Sequence, residues 1–147
     1  VARKGHGCTL NGRRVSVSST AELSKIYAVG CPGGDKNNLR FSKMSYALNE
    51  AIKDFRKMGS AAIEAYTVAS GRVDSFVTLN IPAWDIAAGA LCVEEAGGKV
   101  TDFDGNPWNL NKTDVCMSNG IVHDEVLKRV QIVNPNSDVF SDKSFLA

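Results

Sequence analysis

The stretch Pro82-Ala83-Trp84-Asp85-Ile86-Ala87-Ala88-Gly89-Ala90-Leu91-Cys92-Val93-Glu94-Glu95-Ala96-Gly97-Gly98 decides how the rest of the chain is read. Pro82 has a fixed φ that suits the opening of a helix, and Asp85 falls in the first turn. Trp84, Ala87, Ala88, Leu91 and Cys92 recur at helical spacing and predict the stripe that faces the core. Gly97-Gly98 stops the helix, and Lys99 to Asp102 reads as a strand leaving it. Two readings of Asp85 stand side by side. The free backbone N–H groups of a first turn favour a carboxylate, so Asp85 can serve as a helix-terminal charge. A carboxylate there can equally ligate a hard divalent ion such as Mg²⁺, which takes oxygen donors.

Working upstream, Asp74 to Leu79 is a strand rich in Phe and Val. A helix from about Ser60 turns Ala61, Ala62, Ala65, Val68 and Ala69 inward and stops at Gly71; its small residues predict close packing. Ser42 is placed to cap another helix running to about Lys57, with Met44, Leu48, Ala51, Ile52 and Phe55 on its apolar face and Gly59 as its end. Arg14 to Ser18 and Lys25 to Gly30 read as strands, the first led by the hairpin signal Asn11-Gly12. Downstream lie a turn at Asp104-Gly105, a strand from Asp114 to Met117 and a short helix from Asp124 to Val130. Strands alternating with helices predict an α/β layered domain over residues 1–133, with a mixed β-sheet flanked by helices. Residues 134–147 form a polar tail with isolated Phe140 and Phe145.

Composition narrows the function. The chain has 147 residues, 44% apolar and 22% charged, with 17 Lys and Arg against 16 Asp and Glu. These values exclude a disordered tail, a collagen-like rod and a disulfide scaffold. No polybasic run points to nucleic acid, no apolar stretch is long enough to span a bilayer, and Val1 to Gly7 has no apolar core after it to make a signal peptide. Cys8, Cys31, Cys92 and Cys116 contain no CxxC, which argues for reduced thiols in a cytoplasmic protein. His6 and Cys8 fall short of a four-ligand zinc site.

Other polar residues have weaker claims. Asp74 is the obvious second carboxylate for a metal, against a plain role at a strand edge facing solvent. Asp102 and Asp104 form a D-x-D-G string that reads as a tight turn. The loop Gly30 to Asp35, with Lys36 or Arg40, has the makings of an anion cradle, against the default of a strand-to-helix connection. His123 has no visible base partner and is expected to face solvent.

The run Trp84 to Gly98, with W-D-x-A-A-G followed by E-A-G-G, resembles the second signature of the inositol monophosphatase family, which includes related sugar phosphatases. Arg56 to Ala62 is similar to the family's stretch before its small-residue helix, and Val68 to Asp74 to the helix end and strand that follow. Gly5 to Gly12 resembles the hairpin at the family's midpoint, so the likeness runs from about Val1 to Val130. It implies the C-terminal domain of that fold and a Mg²⁺-dependent phosphomonoesterase acting on a sugar or polyol phosphate. It further implies that Asp85 ligates a metal ion and approaches a substrate hydroxyl, and that Gly59, Ser60 and Ala61 lie against the polyol. Thr78 stands where inositol-specific members carry a glutamate, and it has no charge with which to grip a polyol.

The family's first signature, aspartate-proline-x-aspartate-glycine-threonine, does not occur in this sequence, nor does the upstream glutamate that shares the metals. No complete catalytic set is therefore expected in this chain, and Mg²⁺ binding by it alone is expected to be weak or absent. Two readings follow. In the first, the chain is the C-terminal half of a phosphatase, inactive without an N-terminal half. In the second, it is a non-catalytic module that covers its exposed face by self-association as a homo-oligomer. Phe140, Phe145 and Leu146 offer a third way to cover that face, by folding back.

Overall fold

The computed structural model describes residues 1–33 and 38–133. Three short strands open the chain: β1 (Ala2–Arg3), β2 (Gly7–Leu10) and β3 (Arg13–Val15), paired antiparallel in that order. Asn11 and Gly12, both at positive φ (49° and 77°), make the turn between β2 and β3, as the Asn-Gly pair predicts. The strand expected to reach Ser18 stops at Val15. Beyond it Val17 turns its N–H to the carbonyl of Ala96, so a helix end replaces the next ladder partner.

Among the described residues the main sheet has five strands, β4 (Tyr27–Cys31), β5 (Asp54–Arg56), β6 (Ser75–Thr78), β7 (Lys99–Thr101) and β8 (Val115–Ser118), in the order β5-β4-β6-β8-β7. β4 runs parallel to β5 and β6, and β8 antiparallel to β6 and β7. The sheet is mixed, as expected. Among the described residues four α-helices accompany the sheet: α1 (Asn38–Asn49), α2 (Ala61–Ala69), α3 (Ala83–Glu95) and α4 (His123–Val130).

Side chains alternate across the sheet with a period of two residues. Val29, Phe76, Val115 and Met117 pack on one face against Ala65, Val68, Ile86 and Val93 of α2 and α3. Ala28, Val77 and Cys116 pack on the other against Met44, Leu48, Val126 and Val130 of α1 and α4. The strands β1 and β2 lie against α3. The molecule is therefore layered as small sheet, helix pair, main sheet, helix pair.

Two expectations change. The helix predicted from Ser42 to Lys57 instead spans Asn38–Asn49, with Ser42 inside it, and Asp54–Arg56 forms an edge strand. Lys53 donates its N–H to the Ile26 carbonyl at 3.0 Å, and Phe55 then pairs with Ala28; the open edge of β4 outcompetes another helical turn. The stripe predicted to face the core along α3 is rotated. Ile86, Gly89, Ala90 and Val93 are the buried set, whereas Trp84 is 83% exposed and Ala88 is exposed. Gly89 is why α2 and α3 approach so closely: a Cβ there would lie 2.5 Å from that of Ala65. Ala65, Val68 and Ala69 are buried as predicted, but Ala61 is only half-buried and Ala62 is exposed. The tail 134–147, with its Phe140, Phe145 and Leu146, lies outside the described residues.

Candidate active site

The carboxyl end of β4 and the starts of α2 and α3 converge at one end of the sheet. Crevices form at the carboxyl ends of parallel strands because the chain leaves them toward different helices. Here the crevice has a volume of about 580 Å³ and is lined by Cys31 to Gly33 at the end of β4, Gly59 to Ala62 leading into α2, and Ile81, Pro82 and Asp85 at the entry and first turn of α3, with Lys57 beside them. Asp85 and the Gly59-Ser60-Ala61 segment, far apart in sequence, are brought to one cavity.

Asp85 is exposed in the first turn of α3. Its backbone N–H bonds to Pro82, and among the described residues its carboxylate has no hydrogen-bond or ion-pair partner. The α2 start is built differently. Gly59 takes φ +83°, a conformation costly for a side chain. Glu64, fully buried, accepts the backbone N–H groups of Met58 at 2.7 Å and Gly59 at 3.2 Å through Oε1, holding this bend. Its Oε2 has no partner among the described residues. Ser60 occupies the cap position in extended conformation, but its hydroxyl does not bond the helix and remains at the cavity.

Charge in the cavity is set by these elements. Two helices begin there, and helix N-termini present partial positive charge and free N–H groups. Lys57 adds an ammonium. The surroundings thus favour an anion next to one uncommitted carboxylate. Cys31 does not act as a thiolate: burial pushes its thiol up, against the pull of hydrogen bonds from Thr78 and Gly33, and the Glu64 carboxylate pushes it the same way as burial.

Thr78 does not line the cavity. It is fully buried, donates its hydroxyl to the Cys31 carbonyl at 3.0 Å, and lies 3.3 Å from the Cys31 sulfur. It stands one residue behind the cavity wall. Asp74, offered as a second metal carboxylate, immediately precedes β6, at the opposite end of the sheet. It is buried, not solvent-facing: its carboxylate accepts the Ser18 hydroxyl and the Tyr27 N–H. Asp102 makes the expected turn, accepting the N–H groups of Asp104 and Asn106 at 3.0 and 2.9 Å. Burial alone would raise its carboxyl; the Lys112 ammonium at 2.8 Å and the Asn106 amides outweigh burial and hold it below the usual range.

Of the anion loop, Gly34 to Lys36 lie outside the described residues, and Arg40 bonds Asp114 at 2.7 Å. The four cysteines are free thiols.

His123 corrects an expectation outright. It is fully buried, with Nε2 2.9 Å from the Thr101 hydroxyl and Nδ1 2.9 Å from that of Ser118. Burial, reinforced by the Lys99 charge and opposed by Asp124, lowers its pKa to about 4. It is a neutral core histidine. Lys57 is a cavity residue to which sequence reasoning gave no role, and Glu64, which holds the bend at the start of α2, is a supporting residue it passed over. Glu64 left one signal: it falls on the inward stripe of α2, one turn before Val68, where an acid needs a buried partner.

Among the described residues no group of three or more His, Cys, Asp or Glu side chains is arranged to hold a metal ion. Asp85 alone does not complete the six-oxygen shell of Mg²⁺. Among those residues no helix is long and apolar enough to cross a membrane.

A layered mixed sheet, a cavity between two helix starts and a W-D carboxylate at its edge define a class, and the comparisons agree with it. A model of the inositol monophosphatase family matches residues 1–134, and the chain belongs to that family. It is similar to the fructose-1,6-bisphosphatase/inositol-1-monophosphatase of Thermotoga maritima, 42% identical over 133 residues, which are 90% of this chain and 50% of the relative. It is similar to the putative Nus factor SuhB of Neisseria meningitidis serogroup B, at 39% identity over 87% of this chain and 50% of that protein. The inositol monophosphatase structure from Anabaena superposes with a TM-score of 0.82 at 35% identity, over 92% of this chain and 54% of the other. The chain spans about half the length of the curated relatives it matches. The fold is the C-terminal half of the inositol monophosphatase fold.

Proposed function

We propose that this chain is the C-terminal half of a Mg²⁺-dependent phosphomonoesterase for a sugar or polyol phosphate, and that it does not turn over substrate by itself. The observation that carries the reading is the uncommitted Asp85 carboxylate facing the Gly59-Ser60 helix start across one cavity. Asp85 would hold one metal ion. In such hydrolases bound divalent ions activate water and neutralise phosphate charge. The described residues supply too few oxygen donors for that chemistry, so the remaining ligands come from an N-terminal half.

The chain's own part is positioning. Gly59 leaves open space where a side chain would stand, so a polyol can approach the backbone. Ser60 offers an uncommitted hydroxyl, and Lys57 attracts the anion. Thr78 holds the Cys31 wall through its hydroxyl and supplies no charge to the cavity. Four free thiols and the chain's small net charge suit a cytoplasmic setting without a nucleic-acid partner.

The test is phosphate release by the purified chain from a panel of sugar and inositol phosphates with Mg²⁺. No release above the buffer blank is expected. Turnover that depends on Mg²⁺ would overturn the inactive reading.

A second reading has its own observation. Trp84, Ile63 and Met58, at the starts of α3 and α2, are 83%, 54% and 50% exposed. Apolar groups so placed suit an interface. A stand-alone, self-associating module would cover them with a second copy.

A further inference from the structure

Cys8 and Cys92 are used by neither reading, yet the fold brings them together. Cys8 lies in β2 and is buried; Cys92 lies on α3, half-buried, and packs against the core cluster that contains Cys8. Their alignment is fixed by a neighbouring clamp. Glu95 accepts the N–H of Gly5 through one carboxylate oxygen and that of Gly7 through the other, each at 2.7 Å. Cys8 is the next residue after Gly7, and Cys92 is one helical turn before Glu95, on the same side of α3. Burial first, and then the neighbouring Cys8 thiol, hold the Cys92 thiol above the usual range. Cys116, by contrast, is sealed in the opposite core cluster, and Cys31 is engaged with Thr78.

We propose that Cys8 and Cys92 form an oxidisable dithiol that closes to a disulfide by exchange with a small-molecule disulfide such as oxidised glutathione. Cys92, the more exposed, loses its proton to solvent, and its sulfur attacks one sulfur of the oxidant. The oxidant's S–S bond breaks and one small thiolate leaves. Cys8 then loses its proton, its sulfur attacks Cys92 Sγ, and the second small thiolate leaves. The two protein thiols are oxidised by two electrons in all; the small disulfide is reduced to two thiols, which take up the two protons. The product ties the opening hairpin to the helix that carries Asp85.

The experiment equilibrates the native chain with glutathione buffers of rising oxidation, quenches with acid, alkylates the remaining thiols and maps peptides without reduction. The expected result is one cross-linked peptide pair, Cys8 with Cys92, a mass loss of two hydrogens, and alkylation of Cys31 and Cys116 only after unfolding. Closing so long a loop should raise the melting temperature on the order of 10 °C. Cys8→Ser and Cys92→Ser should each abolish both changes. Mixed glutathione adducts without the cross-link, a different pair, or a cross-link formed only in denaturant would overturn the proposal. The peptide map is read on the unsubstituted chain, so a variant that fails to fold does not blunt the test.

Discussion

A single histidine shows how far a residue's neighbours decide its chemistry. His123 is held neutral between the hydroxyls of Thr101 and Ser118. Its pKa is about 4 in the folded protein against an ordinary value of 6.5, so the unfolded chain binds its proton first. Its contribution is therefore present above pH 6.5, is lost progressively as pH falls toward 4, and changes no further below that. The full loss is about 3 kcal/mol. Urea unfolding between pH 7 and pH 4 should show this slope in the native protein and a flatter one in His123→Gln. Equal slopes would mean the imidazole is not held neutral. At Asp85 the prediction concerns binding. Calorimetric titration with Mg²⁺ should give millimolar affinity at best, and Asp85→Asn should remove what there is. Micromolar binding that survives the substitution would place the ion elsewhere.

At the scale of elements, α3 explains what could and could not be read in advance. Its limits, its first-turn carboxylate and its glycine stop were legible because each is a local signal. Its rotation was not, since apolar residues occupy both faces: Ile86, Ala90 and Val93 on one, Trp84, Leu91 and Cys92 on the other. Periodicity then gives the helix but not the buried side. Only the contact with α2 decides, and it runs through Gly89. The missing Cβ at that position makes a direct prediction. Gly89→Ala overpacks against Ala65 and should cost about 1–3 kcal/mol, seen as a lower melting temperature; an unchanged or higher one would show that the helices can part freely. The strand Asp54–Arg56 was illegible for another reason. Three residues are too few to carry an alternation, and Ile52 and Phe55 happen to continue the helical spacing of α1. Its strand character is imposed from outside by the edge of β4.

For the whole molecule, the alternation of helices and strands was legible apart from the edge strand Asp54–Arg56, and a layered α/β domain with a mixed sheet followed from it. The site was legible in part. Motif residues gave Asp85 and the Gly59-Ser60-Ala61 segment, which meet at one cavity, while the places of Lys57 beside it and of Glu64 under the Gly59 bend emerge only once the chain is assembled. Asp74 and His123 misled because burial is a property of the assembled chain. The exposed Trp84 belongs to this scale too. If a second copy covers it, sedimentation should show concentration-dependent dimers that Trp84→Glu returns to monomers; the same sedimentation profile in both would remove this face from any self-association.

The central claim is that Asp85 is one ligand of a metal centre completed by another half of the protein. The direct measurement joins this chain to the N-terminal half of the Thermotoga maritima relative and follows Mg²⁺-dependent phosphate release by the chain alone, the fusion and the fusion carrying Asp85→Asn. The account predicts turnover in the fusion only, reduced at least about 100-fold by the substitution, as loss of a few kcal/mol of transition-state stabilisation would give. Turnover by the chain alone, or a fusion indifferent to Asp85→Asn, would contradict it.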